Sequence, residues 1–193
     1  MSLVILALLL FGSSHRASPQ CGVERWAVKT LADAEASEVS DQVVPSTIEE
    51  LRALSAPPNL HALPDHRHSP VEKTHYLIHA LLLGYKQEAD LDYHLVLASP
   101  LDSKLTMIAE IPSKQCVPLK LASQENGLRV RLAVLFGKPS AVGRMKYLAK
   151  PAHIIIEGVG FFDFLHGQTG VAPNGIELHP VTRLAVEEEL VTQ

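Results

Sequence analysis

The order in which two hydrophobic periods follow one another constrains this chain's fold more than any single motif. Thr74 to Gln87 is a long run rich in Tyr, Leu and Ile, with Gly84 placed where a bend or bulge would curl it. Glu88-Ala89-Asp90 makes a turn, and Asp92 to Ala98 then alternates Tyr93, Leu95 and Leu97 against His94, Val96 and Ala98, the period-two pattern of a strand. Leu105 to Ile111 reads as a third strand, stopped by Pro112. The period then changes. Over Gln124 to Phe136, Leu128, Leu132 and Leu135 share one face, Arg129 and Arg131 lie off it, and Gly137 closes the segment, which predicts a helix. Two more strands, His153 to Phe162 and Ile176 to Leu184, flank a loop holding Gly167, Gly170 and Pro173. This order predicts a mainly β domain over residues 71–186: a five-stranded OB-type barrel with one helix between its third and fourth strands.

What precedes that domain reads differently. Leu3 to Phe11 is an unbroken apolar run followed by Gly12-Ser13-Ser14. It is shorter than the roughly 20 residues that span a bilayer, yet it matches the apolar stretch of an export signal. Residues 1–20 are therefore expected to be a signal peptide, although no Lys or Arg precedes Leu3 and no A-x-A site precedes Cys21. The chain beyond it is expected to be extracellular or periplasmic, without a transmembrane segment. Cys21 and Cys116 are the only cysteines, and an oxidising compartment would pair them across a long loop. Lipidation of Cys21 is disfavoured by Ala17-Ser18-Pro19-Gln20, and the absence of a neighbouring Cys or His at ligand spacing excludes a zinc ribbon.

Residues 21–70 read as an N-terminal extension. Asp33 to Val44 has the composition of a linker, and Ser46 with Glu49 forms a candidate capping box for a short helix bearing Ile48, Leu51 and Leu54 on one face. Pro57-Pro58 ends that helix, and a proline-rich loop runs to Pro70. His61, His66 and His68 in that loop are expected to be solvated rather than to bind metal. Glu187-Glu188-Glu189 opens an acidic tail over 187–193.

Charge narrows the function. A surface that neutralises phosphates carries a visible surplus of Lys and Arg, whereas this chain has a net charge of -4, which argues against non-specific nucleic-acid binding. Asp92, His94, Glu110, Asp163, His166, Glu177 and His179 fall at strand ends or in the last long loop. Brought together, they would offer the histidine and carboxylate mixture that binds a divalent metal and activates water. Taken singly, each reads as a hydrogen-bonded structural residue, Glu177 for instance holding a backbone amide or Arg183. In the loop from Phe161 to Asn174, the aromatics Phe161, Phe162 and Phe164 are assigned to core packing. His166, Gln168 and Asn174 remain there as exposed binding candidates.

Asp92-Tyr93-His94-Leu95-Val96-Leu97, Met107-Ile108-Ala109-Glu110-Ile111-Pro112 and the run from Gly158-Val159-Gly160-Phe161-Phe162 through Ile176-Glu177-Leu178-His179-Pro180-Val181 resemble a family of uncharacterised exported bacterial proteins. Cys21-Gly22-Val23-Glu24-Arg25-Trp26-Ala27-Val28-Lys29-Thr30 is similar to that family's mature start. The Asp-Tyr-His and Glu-x-His-Pro pair is also similar to OB-like accessory domains attached to secreted bacterial nucleases, while the catalytic motif of thermonuclease-type enzymes is not recognisable. These resemblances imply export and an OB-like barrel and carry no activity. Two functional readings follow: a ligand-binding module for an oligonucleotide or oligosaccharide, and a metal-dependent hydrolase such as a nuclease. A structural role in the cell envelope is the third.

Overall fold

The computed structural model describes residues 21–60 and 65–187; the expected signal peptide, His61 and the acidic tail after Glu187 lie outside the described residues. Three strands form an antiparallel meander: β2 (His75–Gln87), β3 (Tyr93–Ala98) and β4 (Thr106–Ile111). After the helix α3 (Leu119–Phe136), the long strand β5 (Lys146–Phe162) pairs antiparallel with β2, and β6 (Ile176–Val186) lies antiparallel to β5 and parallel to β4. The sequence of neighbours β2, β3, β4, β6, β5 thus returns to β2, so the sheet closes into a ring. A sixth strand, β1 (Val43–Ser46), adds in parallel to β2. The protein is mainly β, and its sheet has one strand more than the sequence predicts, because β1 lies in what reads as a polar linker.

Apolar side chains alternate into the ring as strand geometry requires. Ile78, Ala80 and Leu82 from β2 meet Leu95, Leu97, Met107, Ala109, Ile154, Ile156 and Leu178, all buried in one cluster. Each fully buried Leu or Ile contributes roughly 1.5–3 kcal/mol. Leu128 and Leu132 of α3 join this cluster, as do Ile48 and Leu51 of the short helix α2 (Ile48–Arg52). The bend expected at Gly84 is where β2 shifts register against both β3 and β5. A Cβ there would stand 2.7 Å from the Lys146 carbonyl oxygen, so only glycine allows this approach.

Several boundaries move. Helix α3 starts at Leu119 rather than Gln124, directly after Pro118, a residue compatible with a helix start but not its interior. Strand β5 starts at Lys146 rather than His153: its largely exposed first half, interrupted by Lys150 and Pro151, shows no clear apolar alternation, and pairing with β2 at Gly84 and Tyr85 makes it a strand. The helix cap is Thr47, not Ser46: Thr47 Oγ1 accepts from the Glu50 amide at 3.1 Å and the Glu50 carboxylate accepts from the Thr47 amide at 2.9 Å. Glu49 instead accepts from Ser99 Oγ.

Residues preceding the ring pack tightly against it. The disulfide Cys21–Cys116, with Cα atoms 5.6 Å apart, joins the start of the described chain to the loop before α3. Asp33, in the linker-like stretch, is closed to solvent by Arg67, which contacts it at 3.1 Å and 2.5 Å. Among the described residues, no helix is long and apolar enough to cross a membrane.

Candidate functional site

At one end of the ring, the turn between β2 and β3 faces the loop between β5 and β6 across a cavity of about 360 Å³. The turn contributes Glu88 and Asp90, the loop Asp163, His166 and Gln168, and the strands between them His94 and Glu110. The remaining wall is the N-terminal helix α1 (Trp26–Lys29), which supplies Trp26 and Lys29. A four-residue helix has no stability of its own, so tertiary bonds must hold it. Cys21 anchors one end, and the indole Nε1 of Trp26 donates to the Cys116 carbonyl at 3.2 Å. Arg25, at the helix cap, is fixed by Glu72, which also accepts from the Phe162 amide at 2.9 Å.

That anchoring projects Lys29 into a buried carboxylate cluster. Its ammonium lies 3.1 Å from Asp163 Oδ2, 3.9 Å from Glu177 Oε1 and 4.0 Å from Glu110 Oε2. Burial alone would push Lys29 down, but Glu177, Glu110 and Asp163 together hold it above its ordinary value, so the side chain stays charged. Glu110 sits opposite His94 in the β3–β4 register. His94 Nδ1 lies 3.0 Å from Glu110 Oε1, and Nε2 donates to the Thr169 carbonyl at 2.8 Å, tying the loop to the sheet. Burial would raise Glu110, yet hydrogen bonds from His179 and His94 and the charge of Lys29 hold it well below the usual carboxylate range.

His179 lies deeper. Its Nδ1 donates to the Lys29 carbonyl at 2.9 Å, while Nε2 stands 3.3 Å from Asp92 Oδ2 and 3.2 Å from Glu110 Oε2. Burial disfavours its charge, but the bonds to Asp92 and Glu110 outweigh this and raise it to about 10. Glu177 goes the other way: burial, with Asp163 and Glu110 nearby, holds its carboxyl well above the ordinary value despite Lys29. One oxygen of Glu177 and one of Asp163 are buried without a hydrogen-bond partner. The cluster is thus an acceptor-rich, internally charged floor that can hold a cation or bind hydroxyl donors.

Six of the sequence candidates, Asp92, His94, Glu110, Asp163, Glu177 and His179, meet in this cluster. His166 and Gln168 line the cavity at its rim and bond to each other, the Gln168 oxygen accepting from the His166 amide at 3.1 Å. Asn174 stands apart: its amide donates to the Leu51 and Leu54 carbonyls at 2.9 and 3.0 Å, closing the end of α2. Glu177 does not hold Arg183, which pairs with Glu157 at 2.8 Å. Phe161 and Phe162 are fully buried. His66 pairs with Glu35 at 2.6 Å, and His68 meets the Phe162 ring edge-on at 5.6 Å between centroids. Sequence reading missed Lys29, Trp26, Glu88 and Asp90. The signal available for the first two was the cysteine pair itself, since bonding Cys21 to Cys116 brings the residues after Cys21 beside the end of β4.

No protein-family model matches the chain, and no curated protein does. A solved structure described as an aspartyl-tRNA synthetase of Leishmania major Friedlin is similar over 76% of this chain and 21% of that one, at 15% identity and a TM-score of 0.40. The chain therefore spans about a fifth of that protein's length, and likeness at this level carries no argument for fold or function.

Proposed function

We propose that the chain is an exported ligand-binding module, that its ring is an OB-type barrel, and that its ligand is a short neutral oligosaccharide. The barrel reading is supported by the neighbour order, the parallel β4–β6 pairing and the helix between β4 and β5. OB barrels bind ligands on their second and third strands and in the loops joining strands one to two and four to five. Those loops correspond here to the β2–β3 turn and the β5–β6 loop, which face each other across the cavity. Export is supported by the disulfide and by the resemblance of residues 21–30 to the start of mature exported proteins.

The observation that carries the ligand class is the cavity's lining. Glu24, Glu88, Asp90, Glu110 and Asp163 line the wall with Lys29, its one Lys or Arg among the described residues; the Lys29 ammonium is already committed to buried carboxylates, and Lys86 behind the wall is committed to Glu88. An oligonucleotide would bring phosphates against this acid, without the clustered cations that such binding needs. A sugar brings hydroxyl donors, which carboxylates accept in strong charge-assisted hydrogen bonds. Its apolar ring face suits an indole, and Trp26 lines the wall.

Calorimetric titration of the oxidised chain with neutral oligosaccharides, and with a single-stranded DNA of similar length at low salt, tests this reading. Saturable sugar binding that weakens by roughly tenfold, about 1.4 kcal/mol, in Asp90→Asn or Gln168→Ala is the expected result. Salt-sensitive DNA binding with no sugar binding would overturn it.

A further inference from the structure

We propose that Asp92 Oδ2, Glu110 Oε2 and His179 Nε2 form a binding site for a divalent first-row transition-metal cation of the zinc class, beneath the floor of the cavity. This site does not depend on the sugar reading, and either can fail without the other.

The geometry is that of three ligands around one centre. The three atoms lie within 4.8 Å of one another, with Nε2 3.3 Å from Asp92 Oδ2 and 3.2 Å from Glu110 Oε2. Nitrogen and oxygen ligands about 2.0–2.2 Å from a tetrahedral zinc stand roughly 3.3–3.6 Å apart. Imidazole with carboxylates suits zinc and its neighbours better than magnesium or calcium, which prefer all-oxygen shells.

Each ligand is also held from behind. A metal-binding histidine ordinarily donates its other ring N–H to a carbonyl or carboxylate; His179 Nδ1 donates to the Lys29 carbonyl at 2.9 Å. The second oxygen of Asp92 accepts from the Ser113 amide at 3.2 Å, and that of Glu110 faces His94 Nδ1 at 3.0 Å. One atom of each side chain is fixed outward, and the other turns toward the shared point, where the cation would replace the His179 Nε2 proton that Asp92 and Glu110 accept and release it to solvent.

An independent observation is unsatisfied acceptor capacity beside the site. Glu177 precedes His179 by two positions on β6 and so shares its face. Its side chain is 3% exposed, and Oε1 accepts no hydrogen bond, with the Lys29 ammonium 3.9 Å away, beyond hydrogen-bond reach. Buried carboxylate oxygens without partners are rare, and here one of Asp163 and both of Glu125 are in the same condition. Lys29 answers only part of this acceptor capacity. Bonded to Asp163, with its ammonium 4.0 Å from Glu110 Oε2, it flanks the proposed site without filling it.

The test uses the full oxidised chain, stripped with a chelator and titrated with zinc chloride by calorimetry, alongside Co2+ titration followed by visible absorption. One equivalent bound is expected, with a d–d spectrum typical of low coordination number. Asp92→Asn and His179→Ala should weaken binding at least tenfold. His94→Gln, which keeps the direct ligands, should weaken it less. Circular dichroism of each variant separates lost metal from lost fold. No saturable binding by the unaltered chain would overturn the proposal, as would binding that Asp92→Asn and His179→Ala leave unchanged in folded protein.

Discussion

Arg25 and Glu72, 47 residues apart in sequence, form a two-pronged ion pair with Nη1–Oε1 and Nη2–Oε2 contacts of 2.7 Å each, and both side chains are closed to solvent. This pair couples the N-terminal segment to the ring, because Glu72 simultaneously accepts from the amides of Phe162 and His68. Removing one partner leaves the other charge buried. Glu72→Gln should therefore destabilise the fold by about 3–5 kcal/mol. Replacing both residues by apolar ones of similar volume should cost less than the sum of the single changes. Urea denaturation of Arg25→Met, Glu72→Leu and the Arg25→Met, Glu72→Leu double variant reads this coupling directly.

The disulfide closes a sequence separation of 95 residues. On the chain-entropy account, a loop of that length is worth about 4–5 kcal/mol. The Cys21→Ala, Cys116→Ala double variant should lose stability on that scale in denaturant titration. Because the bond holds α1 over the cavity, proteolysis under native conditions should cut the variant first near residues 21–30. An unchanged cleavage pattern would show that Arg25 and Lys29 suffice to hold the segment.

Glu125 on α3 is fully buried, with neither oxygen hydrogen-bonded, and burial pushes its carboxyl up to about 8. In the unfolded chain it ionises near its ordinary value of 4.5. Between those values the folded state binds more protons than the unfolded one, so this residue makes stability fall as pH rises. Glu125→Gln removes that slope. Measured with chelator present, its stability relative to the unaltered chain should grow from pH 4.5 to pH 8, reaching on the order of 3 kcal/mol near pH 7. A difference that stays constant with pH would refute the assignment.

Asn174 offers the opposite kind of test. Its amide closes the end of α2 through the Leu51 and Leu54 carbonyls. Asn174→Ala should lower stability by about 1–2 kcal/mol while leaving zinc and sugar titrations unchanged. Loss of binding in this variant would place Asn174 in the site after all.

Strands β2, β3 and β4 were legible in the sequence to within a residue at each end, because their core-facing side chains alternate with period two and turns of Asp, Pro and Ser bound them. The first half of β5 was not, since Lys146, Lys150 and Pro151 carry no apolar alternation. That stretch is a strand because β2 beside Gly84 supplies its partners at Tyr147 and Lys146. Likewise β1, with Pro45 at its centre, exists only through its pairing with β2.

The site divides in the same way. Residue order alone sets which chemical groups stand at the strand ends, His94 and Glu110 on adjacent strands and Glu177 and His179 on one face of the last, because strand periodicity assigns faces without reference to the rest of the fold. It also determined that Cys21 and Cys116 had only each other to bond. That Lys29 lies among Glu110, Asp163 and Glu177 follows from long-range packing alone. A four-residue helix leaves no periodic signal, and the position of its ammonium is set by contacts with residues far along the chain. The attraction that holds it there exists only once the ring has gathered those carboxylates out of water.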